Sequence, residues 1–291
     1  KDFIINFLRL TRPLSNLKNI AIIIIAFYFS GAKFDISLFV WGILSLSFIS
    51  SAIYGYNTIN DLYIDQNNEN KKHYSEAAKF LRGKVSFAIV LFLIISGLVM
   101  GYNLGYNFIF ALIALLIVGF LYSSKYFRFK EKIILDVLFG AFLTFLLRFI
   151  AAWFIFSEGF PYLLPMSALV FGKTAGYTLY KSMDREYLLS HNIKNTITYF
   201  SLKSLFIFFL FFLMLTFISI VLMFLNPIYF NIAILGVLPI QALFLVLFAI
   251  PPIVVIFFQI KKKIKFKILS LRIWGYAYML LVIIISYWII K

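Results

Sequence analysis

Asn57, Asp61 and Asp65 stand four residues apart in the stretch NTINDLYID. On a helix, positions i, i+4 and i+8 share one face, so the three oxygen-bearing side chains stack along it. Two carboxylates and an amide oxygen make a hard donor set suited to Mg2+, which takes one or two carboxylates and fills its shell with water and phosphate. A cation held there would neutralise a diphosphate leaving group. The alternative is a solvated helix end whose acids pair with nearby lysines. Only 11 acidic residues occur in the whole chain, and that scarcity favours the metal site.

The elements that must carry this triplet are apolar. The chain is 63% hydrophobic and 13% charged over 291 residues, with a mean hydropathy of +0.99, which is far from the balance of a soluble domain. The apolar residues fall in runs of about twenty, each long enough to cross a hydrocarbon core as a helix. A membrane β-barrel would need alternating segments of about ten residues, which are absent. The fold class is therefore all-α, a polytopic transmembrane helical bundle. Nine spans are predicted, at about 17–32, 38–58, 86–102, 107–122, 133–156, 162–181, 204–225, 234–259 and 272–290. Pro239, Pro251 and Pro252 predict a short lead-in and a kink in the eighth. The first run lacks a small-residue cleavage motif after it and reads as a retained helix rather than a signal peptide.

Charge fixes the predicted topology. Alternate loops hold 23 of the 27 basic residues. By the positive-inside rule those loops face the cytoplasm, which puts the N-terminus inside and the triplet at the cytoplasmic end of the second span. The chain then reads as one domain over 1–291, a multi-pass protein of the plasma membrane, with cytoplasmic cap loops at about 59–85 and 182–203. The net charge of +16 concentrates on one face, where anionic lipid or phosphate ligands account for it. No nucleic-acid motif interleaves with the basic residues. Without cysteine, disulfides, thiolate metal sites and a Cys nucleophile are excluded. His73 and His191 have no metal-ligand spacing and read as solvated. Arg148 and Lys173 differ from the loop cations, because both fall inside apolar spans where a charge is costly and signals function. A homo-oligomer is left open.

The N-x-x-x-D-x-x-x-D pattern after a second span resembles the first motif of the UbiA superfamily of intramembrane prenyltransferases, nine-helix bundles that bind a diphosphate through Mg2+ at a cytoplasmic cap. Further stretches resemble the branch typified by decaprenyl-phosphate phosphoribosyltransferase. RPLSNLKN (12–19) is similar to an R-P-x-Q-W-x-K-N motif, matching at Lys18 and Asn19. FYFSGAKFD (27–35) also looks like that branch. Tyr122-Ser123 and the segment KEKIILDVLFGAFLTFLLRFIAAW resemble its Y-S…K…L-D-V…R-x-x-A-G region, matching at Asp136 and Arg148. Lys181 and Glu186 resemble a K-R-x-x-E-L motif, spaced one residue further apart. A His-Pro and an R-P-I-A-x-G stretch expected after Asp65 are reduced to Lys71, Lys72 and Arg82-Gly83-Lys84.

The resemblance implies Mg2+ on Asn57, Asp61 and Asp65, with Asp61, Asp65, Lys181 and Glu186 in catalysis. Lys18, Asn19, Lys71, Lys72, Tyr122, Lys130, Asp136 and Arg148 become candidates for binding substrate. Prenyltransferases carry a second Asp-rich motif in the sixth-to-seventh loop, where this chain has only Asp184 and Glu186 beside Lys181 and Arg185. That mixture favours phosphoribosyl transfer from phosphoribosyl pyrophosphate to a polyprenyl phosphate, whose phosphate needs no strong general base. Transfer of an isoprenoid from its diphosphate to an aromatic or other small acceptor is the alternative. A transporter is the non-enzyme reading, disfavoured because the acids cluster at one face and no internal repeat is evident.

Overall fold

A computed structural model describes residues 2–226 other than 67, 69 and 70. Every regular element among them is helical: α1 (Asp2–Thr11), α2 (Leu17–Ser30), α3 (Ile36–Asn60), α4 (Leu62–Asp65), α5 (Lys72–Phe80), α6 (Gly83–Tyr102) and α7 (Tyr106–Ser123). There follow α8 (Leu135–Val137), α9 (Leu143–Phe154), α10 (Leu163–Ser182), α11 (Arg185–Ser190), α12 (Thr196–Tyr199) and α13 (Leu202–Leu225). The predicted spans from 17–32 to 204–225 all fall on these helices. Those at 234–259 and 272–290, with the kink at Pro239, Pro251 and Pro252, lie outside the described residues. Among the described residues, six stretches are long and apolar enough to cross a membrane: Asp2–Ser30, Ile36–Asn60, Gly83–Tyr102, Tyr106–Ser123, Leu135–Phe154 and Leu202–Met223. α10 is also 20 residues long, but Lys173, Lys181 and its Ser and Thr residues make it more polar.

The chain divides into two compact units. The first holds residues 1–161 and 184–199. Within it α3 is the central helix, with α2, α6, α7 and α9 all packed against it. Its neighbours have to be small where they come close to it, since apolar helices in lipid associate through packing rather than through the hydrophobic effect. A Cβ on Gly97 of α6 would lie 2.9 Å from Ile49 and 3.2 Å from the Ser45 carbonyl oxygen, both on α3. Gly119 of α7 is equally pressed, at 2.8 Å from Ile53. Ser45 Oγ donates to the Gly97 carbonyl at 2.6 Å, a polar tie between the two helices. Local signals set the ends: Asp35 caps α3 by accepting the Ser37 amide at 2.7 Å, and α2 stops at Gly31, whose φ of 65° suits glycine.

The fifth predicted span is interrupted. Between α8 and α9, Leu138–Phe142 form a wider π turn, and the Thr144 hydroxyl bonds the Phe139 carbonyl that the turn releases. A π turn inserts one residue and shifts all later side chains by about 100° around the axis. Asp136 and Arg148, twelve positions apart, are thereby brought to nearly the same face.

The second unit, over its described residues 162–183 and 200–226, is an antiparallel pair of α10 and α13. Ala175, Leu179 and Phe209 form its core, and Ser167 Oγ meets Ser219 Oγ at 3.1 Å.

Gly97→Leu and Gly119→Leu are each expected to lower the melting temperature in detergent, since overpacking of this kind costs about 1–3 kcal/mol or more. Unchanged melting in both would mean that α3 does not need its close neighbours.

Candidate functional site

The triplet sits where α3 gives way to α4. The ladder runs on through the junction: the Asp61 amide bonds the Asn57 carbonyl at 3.0 Å and the Asp65 amide bonds the Asp61 carbonyl at 2.8 Å. The three side chains therefore do stack turn upon turn. Asp61 is 6% exposed and Asp65 2%, so two carboxylates are withdrawn from water. Burial of that kind requires a cation for each. Lys130 Nζ bonds Asp61 Oδ1, and Lys71 Nζ lies 3.0 Å from Asp65 Oδ1. Ser123, at the end of α7, donates to Asn57 Oδ1 at 2.7 Å and fixes the amide. Two carboxylates and an oriented amide oxygen, already attracting cations, fit a hard divalent ion. No group of three or more His, Cys, Asp or Glu residues that could hold a metal ion occurs among the described residues.

Three loops interlock around these residues. Ile134 takes a positive φ of 69°, costly for a β-branched residue, and its amide donates to Thr196 Oγ1 at 2.7 Å. Thr196 in turn donates to Asp136 Oδ1, and Asp136 is 1% exposed. Asn195 Nδ2 donates to the Lys130 carbonyl at 3.3 Å, which steadies the lysine that meets Asp61. The Tyr187 hydroxyl donates to the Ile64 carbonyl, inside the α4 turn. Burial, with Asp65 and Asp184 nearby, pushes the Tyr187 phenol up, so it stays a donor at neutral pH. Asp136 thus binds this chain's own loop through Oδ1, and Thr196, Asn195 and Tyr187 carry positioning roles that no sequence motif singles out.

Further back along α3 lies a cationic cluster. Arg12 Nη2 donates to Thr58 Oγ1 at 2.7 Å, and its guanidinium lies over the Tyr74 ring at 3.7 Å. Lys18 Nζ donates to the Tyr54 hydroxyl, and Arg148 of α9 approaches the same ring at 6.0 Å. Beside them a buried polar network joins α2 to α3: Asn19, fully enclosed, donates to Ser50 Oγ at 3.1 Å, and Asn16 to Ser51 Oγ at 2.9 Å. Asn19 is therefore a helix-joining residue in this structure.

Other predicted residues stand apart. Lys72 is on the outer face of α5, its Nζ 3.9 Å from Glu76. Tyr122 is half-buried at the end of α7. Glu186 is exposed, whereas Asp184 is 5% exposed, and Arg185 between them donates to the Ile197 carbonyl at 3.1 Å. Lys181 belongs to the second unit, with Nζ 5.8 Å from the Tyr177 ring. Arg12, Tyr54 and Ser123 enter the site although motif and spacing assign them no role there. Arg12 and Ser123 do lie in the motif-like stretches, and Tyr54 occupies the same helical face as the triplet.

A model of the UbiA prenyltransferase family matches residues 19–265. The chain belongs to that family. No curated protein matches it in sequence. Among solved structures, the UbiA homologue from Archaeoglobus fulgidus superposes with a TM-score of 0.76 at 21% identity, covering 98% of this chain and 99% of that one. The same homologue bound to GPP and Mg2+ gives 0.75 at 20% identity over the same shares. A digeranylgeranylglyceryl phosphate synthase gives 0.68 at 18% identity, again over 98% and 99%. The UbiA fold, all-helical and membrane-spanning, is thus common to this chain and those proteins.

Two variants test the electrostatics. Lys130→Met strands a buried carboxylate and should cost about 3 kcal/mol, read as a lower melting temperature, while Lys130→Met with Asp61→Leu should recover much of it. Additive losses would refute the pairing. Tyr187→Phe should speed amide exchange at residues 184–199 without altering exchange in α6.

Proposed function

We propose that this UbiA-family chain moves a phosphoribosyl group from phosphoribosyl pyrophosphate to a polyprenyl phosphate. The observation that carries this reading is the makeup of the segment at 184–199. Where a second Asp-rich cluster would stand, this segment has one buried and one exposed carboxylate, with Arg185 between them committed to a backbone carbonyl. A segment that mixes cations with one or two acids suits a phosphate-bearing sugar better than a second Mg2+.

Asn57, Asp61 and Asp65 would hold Mg2+, which when bound supplies positive charge to the departing diphosphate. Lys71 and Lys130 place two ammonium groups at the same carboxylates and so favour a polyanionic donor over a neutral one. Ser123 keeps the Asn57 carbonyl oxygen turned to its task. Loss of diphosphate leaves oxocarbenium-like charge on the ribose, as in other transfers at an anomeric carbon. The acceptor phosphate already bears a nucleophilic oxygen, so no general base is assigned. Lys181 and Glu186 are proposed as further catalytic groups, with Lys18, Lys72 and Tyr122 on the substrate side by family resemblance, while Asn19 and Asp136 support the site through their bonds to Ser50 and Thr196.

We further propose nine spans in one domain over 1–291, in the plasma membrane, with the N-terminus and the triplet facing the cytoplasm. Positive charge at the loops bounding the motif supports that orientation.

Isoprenoid transfer is the second reading. It is favoured by the Archaeoglobus homologue, whose solved complexes contain GPP or DMAPP with Mg2+.

The deciding assay incubates purified protein with Mg2+, radiolabelled phosphoribosyl pyrophosphate and polyprenyl phosphate. Label should enter the lipid phase, and chelation by EDTA should stop it. Asp61→Asn and Asp65→Asn should each lower turnover on the order of a hundredfold or more. A prenylated small acceptor formed from an allylic diphosphate, with no ribosylated lipid, would replace the first reading with the second.

A further inference from the structure

Arg148 has no role in the metal site, yet it is only 2% exposed and its Nε has no hydrogen-bond partner among the described residues. Its guanidinium faces an aromatic ring, that of Tyr54, at 6.0 Å. A cation–π contact is weak beside the desolvation that burying a cation entails. The ring alone does not offset the burial. The chain's 11 acidic residues all precede residue 187, so the segment 227–291 brings no side-chain carboxylate to this guanidinium.

Two more cations converge on the same ring. Lys18 Nζ lies 4.7 Å from its centroid and the Arg12 guanidinium carbon 5.6 Å. An anion seated among three cations that share one phenol would be attracted by all of them. Arg12 also takes a left-handed backbone, φ 50° and ψ 56°, a strain that non-glycine residues keep where a site over-determines it. Arg12, Lys18 and Tyr54 are half-buried, so the cluster is open on their side and closed at Arg148.

We propose that Arg148, Lys18, Arg12 and Tyr54 form a second anion subsite, which takes the phosphate monoester headgroup of a lipid. Tyr54 precedes Asp61 by seven residues on α3, about 10 Å along the axis and on the same face. The subsite thus lies on the apolar side of the metal triplet. A headgroup seated there would leave its hydrocarbon chain among the spans, which a soluble phosphate would not exploit. A planar guanidinium suits two phosphate oxygens at once. The identification of this lipid as the acceptor rests on the transfer proposed above. In that step a phosphate oxygen forms the bond to the anomeric carbon, and the electron pair of the broken C–O bond leaves with the diphosphate. An already unprotonated phosphate gives up no proton.

The test uses the full chain in nanodiscs, with farnesyl phosphate, farnesol and inorganic phosphate as probes in calorimetric titrations. Farnesyl phosphate should bind, farnesol should not, and inorganic phosphate should bind more weakly than farnesyl phosphate. Arg148→Met should weaken farnesyl phosphate on the order of tenfold to a hundredfold, with Mg2+-dependent binding of phosphoribosyl pyrophosphate unchanged. If Arg148→Met fails to fold, Lys18→Gln reads the same subsite from its open side and should weaken the lipid phosphate about tenfold. Unchanged affinity in a folded Arg148→Met or in Lys18→Gln overturns the subsite. Equal binding of inorganic and farnesyl phosphate overturns its assignment to a lipid. Farnesyl phosphate that binds through Arg148 yet accepts no ribosyl group overturns the proposed transfer and leaves the subsite standing. Ribosylation with an unchanged KM for the lipid phosphate in Arg148→Met overturns the subsite alone.

Discussion

Two carboxylates withdrawn from water at the end of α3 are the constraint from which the rest of the first unit follows. Carboxylates as buried as Asp61 and Asp65 call for cationic partners of their own. The chain supplies them from two different loops, Lys130 after α7 and Lys71 before α5. Meeting that demand pins both loops over the end of α3. The segment at 184–199 then locks onto the Lys130 loop and the start of α8 through Asn195 and Thr196, and onto α4 through Tyr187. Close helix packing around Gly97 and Gly119 holds α3 at the centre, so that the loops it anchors converge rather than splay.

Much of this could be read from the sequence, for reasons that differ by residue. Asn57, Asp61 and Asp65 announce themselves because a polar repeat of four, set in an apolar chain, serves no packing need. The long spans announce themselves by length alone. Arg148 stands out because a cation amid twenty apolar residues is costly. Its partner does not, since Tyr54 is one of 18 tyrosines and nothing local ties it to α9.

Other features left no periodic trace. The bond from Thr196 to Asp136 spans 60 residues and joins two ordinary loop positions. Lys130 and Lys72 look alike in sequence, yet one meets a buried carboxylate and the other faces outward beside Glu76. Short helices such as α5 and α11 are too brief for an apolar run of membrane-crossing length. The π turn is invisible for the opposite reason: when nearly every side chain is apolar, no face can fall out of phase.

That π turn also limits how the gene for this protein can vary. Deleting one residue between positions 138 and 142 would leave the span apolar and long enough to cross a membrane, and would remove neither Asp136 nor Arg148. It would nonetheless rotate the remainder of the helix by about 100°, carrying Arg148 away from Tyr54 while Asp136 stayed under Thr196. Alignments that treat a single gap in this span as neutral would therefore pair residues that face different directions.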